Sequence, residues 1–72
     1  MVNATGTRSR LVQEDAHFRK LDERHREYEQ RLEELAGRRW LSEQERMEEV
    51  QLKKLKLAVK DEMEAIVRSQ AQ

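Results

Sequence analysis

The sequence predicts an all-α fold. The expected form is a two-helix antiparallel hairpin of coiled-coil type that associates into a dimeric helical bundle. Three observations carry this. Apolar residues recur at alternating three- and four-residue spacing in two long runs. A glycine separates the runs, and a helix-start pattern follows it. Charged residues make up 42% of the chain and proline is absent, a composition rich in Glu, Arg, Lys and Leu that suits long helices.

The first run is Leu11, Phe18, Leu21, His25, Tyr28, Leu32 and Leu35. It defines a heptad with a positions at 11, 18, 25 and 32 and d positions at 14, 21, 28 and 35. Its one non-conforming member is Glu14. Acid-then-base pairs at i, i+4 accompany it: Asp15 with Arg19, Asp22 with Arg26, Glu27 with Arg31, Glu34 with Arg38. A helix is expected over about 9–36, behind a disordered segment at 1–8. Gly37 then suits the left-handed position that ends a helix, with Arg38 and Arg39 near the negative end of its dipole.

A turn is expected over 37–42. Ser42 and Glu45 form the S-x-x-E capping box, so the second helix is expected from about 43 to 68, with 69–72 frayed. Its stripe is Leu52, Leu55, Val59, Met63 and Ile66, within roughly 80° on a helical projection, with Val67 at the edge. The expected core is thus Phe18, Leu21, Tyr28, Leu32 and Leu35 against Leu52, Leu55, Val59, Met63 and Ile66. A loop this short makes the helices antiparallel, and the hairpin should be about 40 Å long.

Size and charge narrow the function classes. The chain has 72 residues, at most one small domain, and no cysteine, so disulfides and thiolate metal sites are excluded. Residues 1–41 carry nine basic and eight acidic side chains, and residues 42–72 carry six and seven. Neither half has the basic excess of a typical phosphate-backbone binder. No stretch reaches the roughly 18 consecutive apolar residues of a membrane span. "MVNATGTRSR" lacks the apolar centre of a signal peptide, so a cytoplasmic setting is expected and the sequon at Asn3 carries no weight.

The run "HFRKLDERHREYEQRLEEL" followed by "LSEQERMEEVQLKKLKLAVKDEMEAIV" resembles the YdcH-like family of short bacterial proteins, a domain of unknown function. The most specific part is "LKKLKLAVKDEM", which supplies Leu52, Lys53, Lys54, Lys56, Leu57, Lys60, Asp61 and Glu62. Val59 stands where the family usually has leucine. Phe18, Leu21, His25 and Leu32 match its first-helix pattern. The resemblance covers about residues 15–68. It implies an antiparallel two-helix hairpin and no established activity.

No catalytic, cofactor-binding or metal-ligating residues are expected. His17 and His25 are eight apart, not the three or four of a helical metal pair. No glycine-rich phosphate loop is present, and nothing suggests a cleft that would perturb the many glutamates. An enzyme is therefore not expected.

Two binding surfaces remain. Met47, Val50 and Leu57, with Ala58, lie opposite the core stripe of the second helix and are candidates for a partner surface. Trp40, in the turn, is a second candidate. The partner is expected to be a second copy, with an unidentified protein as the other possibility. The alternative is RNA or DNA binding through Arg38, Arg39, Lys53, Lys56 and Lys60. Lysines on that flank also suit plain solvation, their stems covering apolar surface. A membrane-surface role ranks last, because the stripe is narrow and the charges are mixed.

Overall fold

The computed structural model describes residues 4–70, whose regular elements are all helices, with no strand among them. Three helices form: α1 (Ala4–Glu14), α2 (Ala16–Ala36) and α3 (Glu43–Gln70). The helix expected over 9–36 is therefore two helices, and the two-helix hairpin gains a third element. Residues 4–8 of the segment expected to be disordered lie in α1. Residues 69 and 70 of the expected frayed end lie in α3, and 1–3 and 71–72 fall outside the described residues.

The break falls at Asp15 for identifiable reasons. Its backbone is extended at φ −112° and ψ 110°, and its side chain accepts a hydrogen bond from the Phe18 N–H at 3.1 Å. That is an N-cap, which satisfies one of the unpaired donors at the start of α2. The other side of the break is closed by Arg19. Its guanidinium donates to the Val12 and Gln13 carbonyls, both at 2.8 Å, and so covers the C-terminal end of α1. Asp15 and Arg19 thus serve the helix ends, not the i, i+4 ion pair expected of them. A continuous helix would have carried Glu14, the non-conforming heptad residue, into the seam.

Turning at Asp15 lets α1 fold over the open end of the hairpin. Leu11, Phe18, Leu21, Val59, Met63 and Val67 form one buried cluster, with Val12, Tyr28 and Ile66 packed against it. Val67, placed by sequence at the edge of the stripe, is buried in that cluster.

The turn differs from expectation in one detail. Gly37 has φ −78° and ψ −7°, a right-handed conformation, so it does not provide the left-handed cap. Its N–H bonds to the Glu33 carbonyl at 3.1 Å, and the Arg38 N–H to that of Leu35 at 3.2 Å. The capping box forms as expected. The Glu45 N–H donates to Ser42 Oγ at 3.2 Å and the Ser42 N–H to Glu45 Oε1 at 3.1 Å.

The hairpin has two chemically different halves. The end covered by α1 is apolar. Toward the turn, Leu35 is buried and Leu32 and Leu52 half-buried, and ion pairs link α2 to α3. Arg31 grips Glu48 with two hydrogen bonds, at 2.8 and 2.9 Å, while also reaching Glu34 at 3.0 Å. Lys56 meets Glu29 at 3.1 Å, and Arg38 pairs with Glu45. Of the four i, i+4 pairs expected along the first helix, only Asp22 with Arg26 forms, at 3.1 Å. Arg31 and Arg38 turn to α3 instead.

These cross-links fix the rotation of α3. Lys56 points toward α2, and Leu55, expected in the core, is 47% exposed. The core stripe therefore lies one residue away from its expected course at this point.

Candidate interaction surface

The rotation of α3 determines what its outward face presents. Met47 is 66% exposed, Val50 52% and Leu57 59%. On a helical projection these three lie within about 80° of one another. They are the residues the sequence offered as a partner surface, and the fold leaves all three uncovered. Leu55 joins them on one flank. Met47 and Val50 line a shallow trough with Arg46, Gln51 and Lys54. Leu57 lines another with Leu32, Lys53, Lys56 and Lys60.

Trp40, the second candidate, is 75% exposed on the turn. It does not fold back over the end of the hairpin.

The residues of the nucleic-acid alternative do not converge. Arg38 is engaged by Glu45, Lys53 by Glu49 at 3.7 Å and Lys56 by Glu29. The remaining two, Arg39 and Lys60, stand at opposite ends of the stretch, with Lys60 roughly 25 Å along the axis from the start of α3. The trough beside Lys53 and Lys56 also carries Glu29, Glu33 and Glu49. A phosphate laid there meets carboxylates as well as ammonium groups.

Electrostatic perturbation follows the inter-helix pairs. The Lys56 ammonium, through its hydrogen bond, holds the Glu29 carboxyl below the usual glutamate range. The Arg31 guanidinium does the same to Glu48, and the Glu48 and Glu34 carboxylates in turn hold Arg31 above its usual value. All three shifts belong to salt links between helices and mark no reactive group.

The histidines are separated in role as well as in sequence. His17 is exposed, with Nε2 3.2 Å from Glu62 Oε1, tying the start of α2 to α3. His25 is half-buried, its Nδ1 3.9 Å from Glu29. Among the described residues no group of three His, Asp or Glu side chains is placed to hold a metal ion, and no helix is long and apolar enough to cross a membrane.

Sequence reasoning missed the inward role of Lys56 and the capping role of Asp15. Glu14 was the signal for the second, since it interrupts the heptad one residue before the cap. Nothing local signals the first, which depends on Glu29 across the seam.

No curated protein and no solved structure gives a significant match to the chain. The sequence model of the family described as "Protein of unknown function (DUF465)" matches residues 18–67, which is nearly all of α2, the turn and nearly all of α3. The chain therefore belongs to the DUF465 family, of which YdcH is a member.

Proposed function

We propose that the protein is a non-enzymatic helical interaction module of the adaptor type, acting through the outward face of α3. One observation carries this reading. Met47, Val50 and Leu57 stand exposed on one side of α3, and the chain's own core does not use them. Scattered exposed apolar residues are ordinary, but a clustered stripe on so small a surface is typical of a partner site. Trp40, exposed at the turn, is a second candidate, a side chain often found as an interface anchor. Dimerisation through this face, in a bacterial cytoplasmic setting, is the form drawn from the sequence. Phosphate binding is the weaker reading, because Arg38, Lys53 and Lys56 are already paired within the chain.

The test is sedimentation equilibrium at tens of micromolar, at low and high salt, with and without a short mixed-sequence RNA. Dimerisation through the stripe predicts a dimer that persists at high salt, ignores the RNA and is lost in Leu57→Glu with helicity unchanged. A mass shift that needs RNA and disappears as salt rises refutes the reading.

A further inference from the structure

The bend between α1 and α2 turns on a single residue. Helical hydrogen bonding continues on both sides of it: the Asp15 N–H donates to the Leu11 carbonyl at 2.8 Å and the Arg19 N–H to the Asp15 carbonyl at 3.0 Å. What leaves the helical path is the Asp15 backbone, chiefly its ψ of 110° against about −42° in an α-helix. In a helix running straight through, the Val12 and Gln13 carbonyls would accept from the Ala16 and His17 N–H groups, and the Phe18 N–H would donate to the Glu14 carbonyl. In the bend Arg19 donates to those two carbonyls and Asp15 accepts from Phe18. The Val12 and Gln13 carbonyls and the Phe18 N–H thus have a partner in either form. Asp15 and Arg19 also have a place in the straight form, where they stand at i, i+4 as an acid–base pair.

Little apolar contact holds α1 in its bent position. Of its described side chains Leu11 is buried and Thr7, Arg8 and Val12 are half-buried, and the rest are exposed. Leu11 joins the buried cluster of Phe18, Leu21, Val59, Met63 and Val67, and Val12 packs against it. α1 has 11 residues, too few for a stable isolated helix in water, so it holds its form either packed on the hairpin or as a continuation of α2. Gln70, the last described residue of α3, lines a shallow recess with Leu11, Asp15 and Ala16. A straightened α1 would run on past that point and take Leu11 out of the cluster.

We infer that α1 is a hinged cover. It closes over the apolar end of the hairpin when Asp15 is extended. It swings out as a continuation of α2 when Asp15 turns helical, opening the cluster that Leu11 completes. Leu11 holds the cover shut, and Asp15 and Arg19 let it open without stranding the polar groups they serve. Hinge closures in proteins commonly rest on a few residues at element ends that absorb a large change in backbone angle.

The test measures the two forms directly. The chain has no cysteine, so Ser9→Cys/Gln30→Cys places a spin-label pair on two exposed positions, one in α1 and one in α2. A straight helix sets them about 32 Å apart along the axis, and the bend brings them closer. Pulsed EPR on this labelled protein should show the shorter distance as the main population. Asp15→Ala removes the cap that favours the bend and puts a better helix former at the hinge, so the population near 32 Å should grow about fivefold. Leu11→Ala, which leaves the hinge intact, should raise it as well. Ala16→Pro should abolish it. Position 16 is the exposed first residue of α2, where proline is favoured, and the extended Asp15 suits a following proline. The ring removes the N–H that a straight helix needs opposite the Val12 carbonyl. Identical distances in Asp15→Ala and Ala16→Pro overturn the inference, as does the absence of the longer distance from every variant. A broad spread of distances with loss of helicity in Asp15→Ala or Leu11→Ala also overturns it, because α1 would then melt and not swing.

Discussion

Met63→Ala and Leu55→Ala should differ sharply, although both residues lie on the helical stripe that the sequence assigns to the core. In the structure Met63 is 2% exposed and belongs to the main cluster, whereas Leu55 is 47% exposed. Truncating a buried methionine removes its transfer free energy and leaves a partly unfilled cavity, which costs about 2–5 kcal/mol. For Leu55 the lost burial is about half, alanine is the better helix former, and no cavity opens. That loss should stay below about 1 kcal/mol. A chain of this size holds about 4–11 kcal/mol of total stability, so the first change removes a large share of it. In a domain this small each 1 kcal/mol shifts Tm by about 4–8 °C. Met63→Ala should therefore lower Tm by about 10 °C or more and Leu55→Ala by only a few degrees. Urea titrations followed by far-UV circular dichroism give both free energies. Comparable losses in the two variants would refute the rotation of α3, and with it the outward face described above.

Asp15→Ala removes the N-cap on Phe18 and should cost about 1 kcal/mol; a urea midpoint unchanged from wild type would show that the break does not depend on the cap. Gly37→Ala should raise stability by about 0.4–1 kcal/mol, because its φ of −78° suits any residue and a Cβ there meets only the Glu33 and Glu34 carbonyls at 3.6 Å. A loss of stability would mean that the turn needs a left-handed residue after all. The carboxyls of Glu29 and Glu48 are held low in the folded state, so their contribution is present above the unfolded value of about 4.3 and is lost as pH falls through the lower folded value. The double variant Glu29→Gln/Glu48→Gln should therefore show a flatter decline of stability between pH 5 and pH 3 than wild type, and equal slopes would remove these pairs from the account.

The polar half of the hairpin bears on how the molecule holds together. Ion pairs at exposed seams contribute little each. Their stronger effect here is on alignment. Arg31 presents a two-pronged donor to Glu48, which restricts how α3 can turn about its axis. The apolar cluster at the other end supplies most of the stabilisation, and α1 completes it with Leu11, while Val12 packs against it.

Local signals in the sequence were enough for much of this. The heptad spacing of Phe18, Leu21 and Leu35 marks α2, and Ser42 with Glu45 marks the start of α3 to the residue. These features depend on interactions within about one helical turn, where side-chain spacing and capping chemistry decide the conformation. The outward placement of Met47, Val50 and Leu57 was also legible, because residues opposite a core stripe face outward. What local spacing cannot fix is the last 100° of rotation that separates one residue from the next. Leu55 and Lys56 are neighbours in that sense, and by hydrophobicity alone Leu55 belongs inside. Only the packed hairpin brings Glu29 opposite Lys56 and Arg31 opposite Glu48, and so turns Leu55 to the flank. The same turn draws Glu48 and Glu49 inward and leaves Arg46, Lys53, Lys54 and Lys60 outside. Between Arg46 and Lys60 the exposed charges are thereby basic, with exposed Glu43 and Asp61 on either side, because pairing within the folded hairpin, invisible in a linear string of charges, selects which carboxylates are covered.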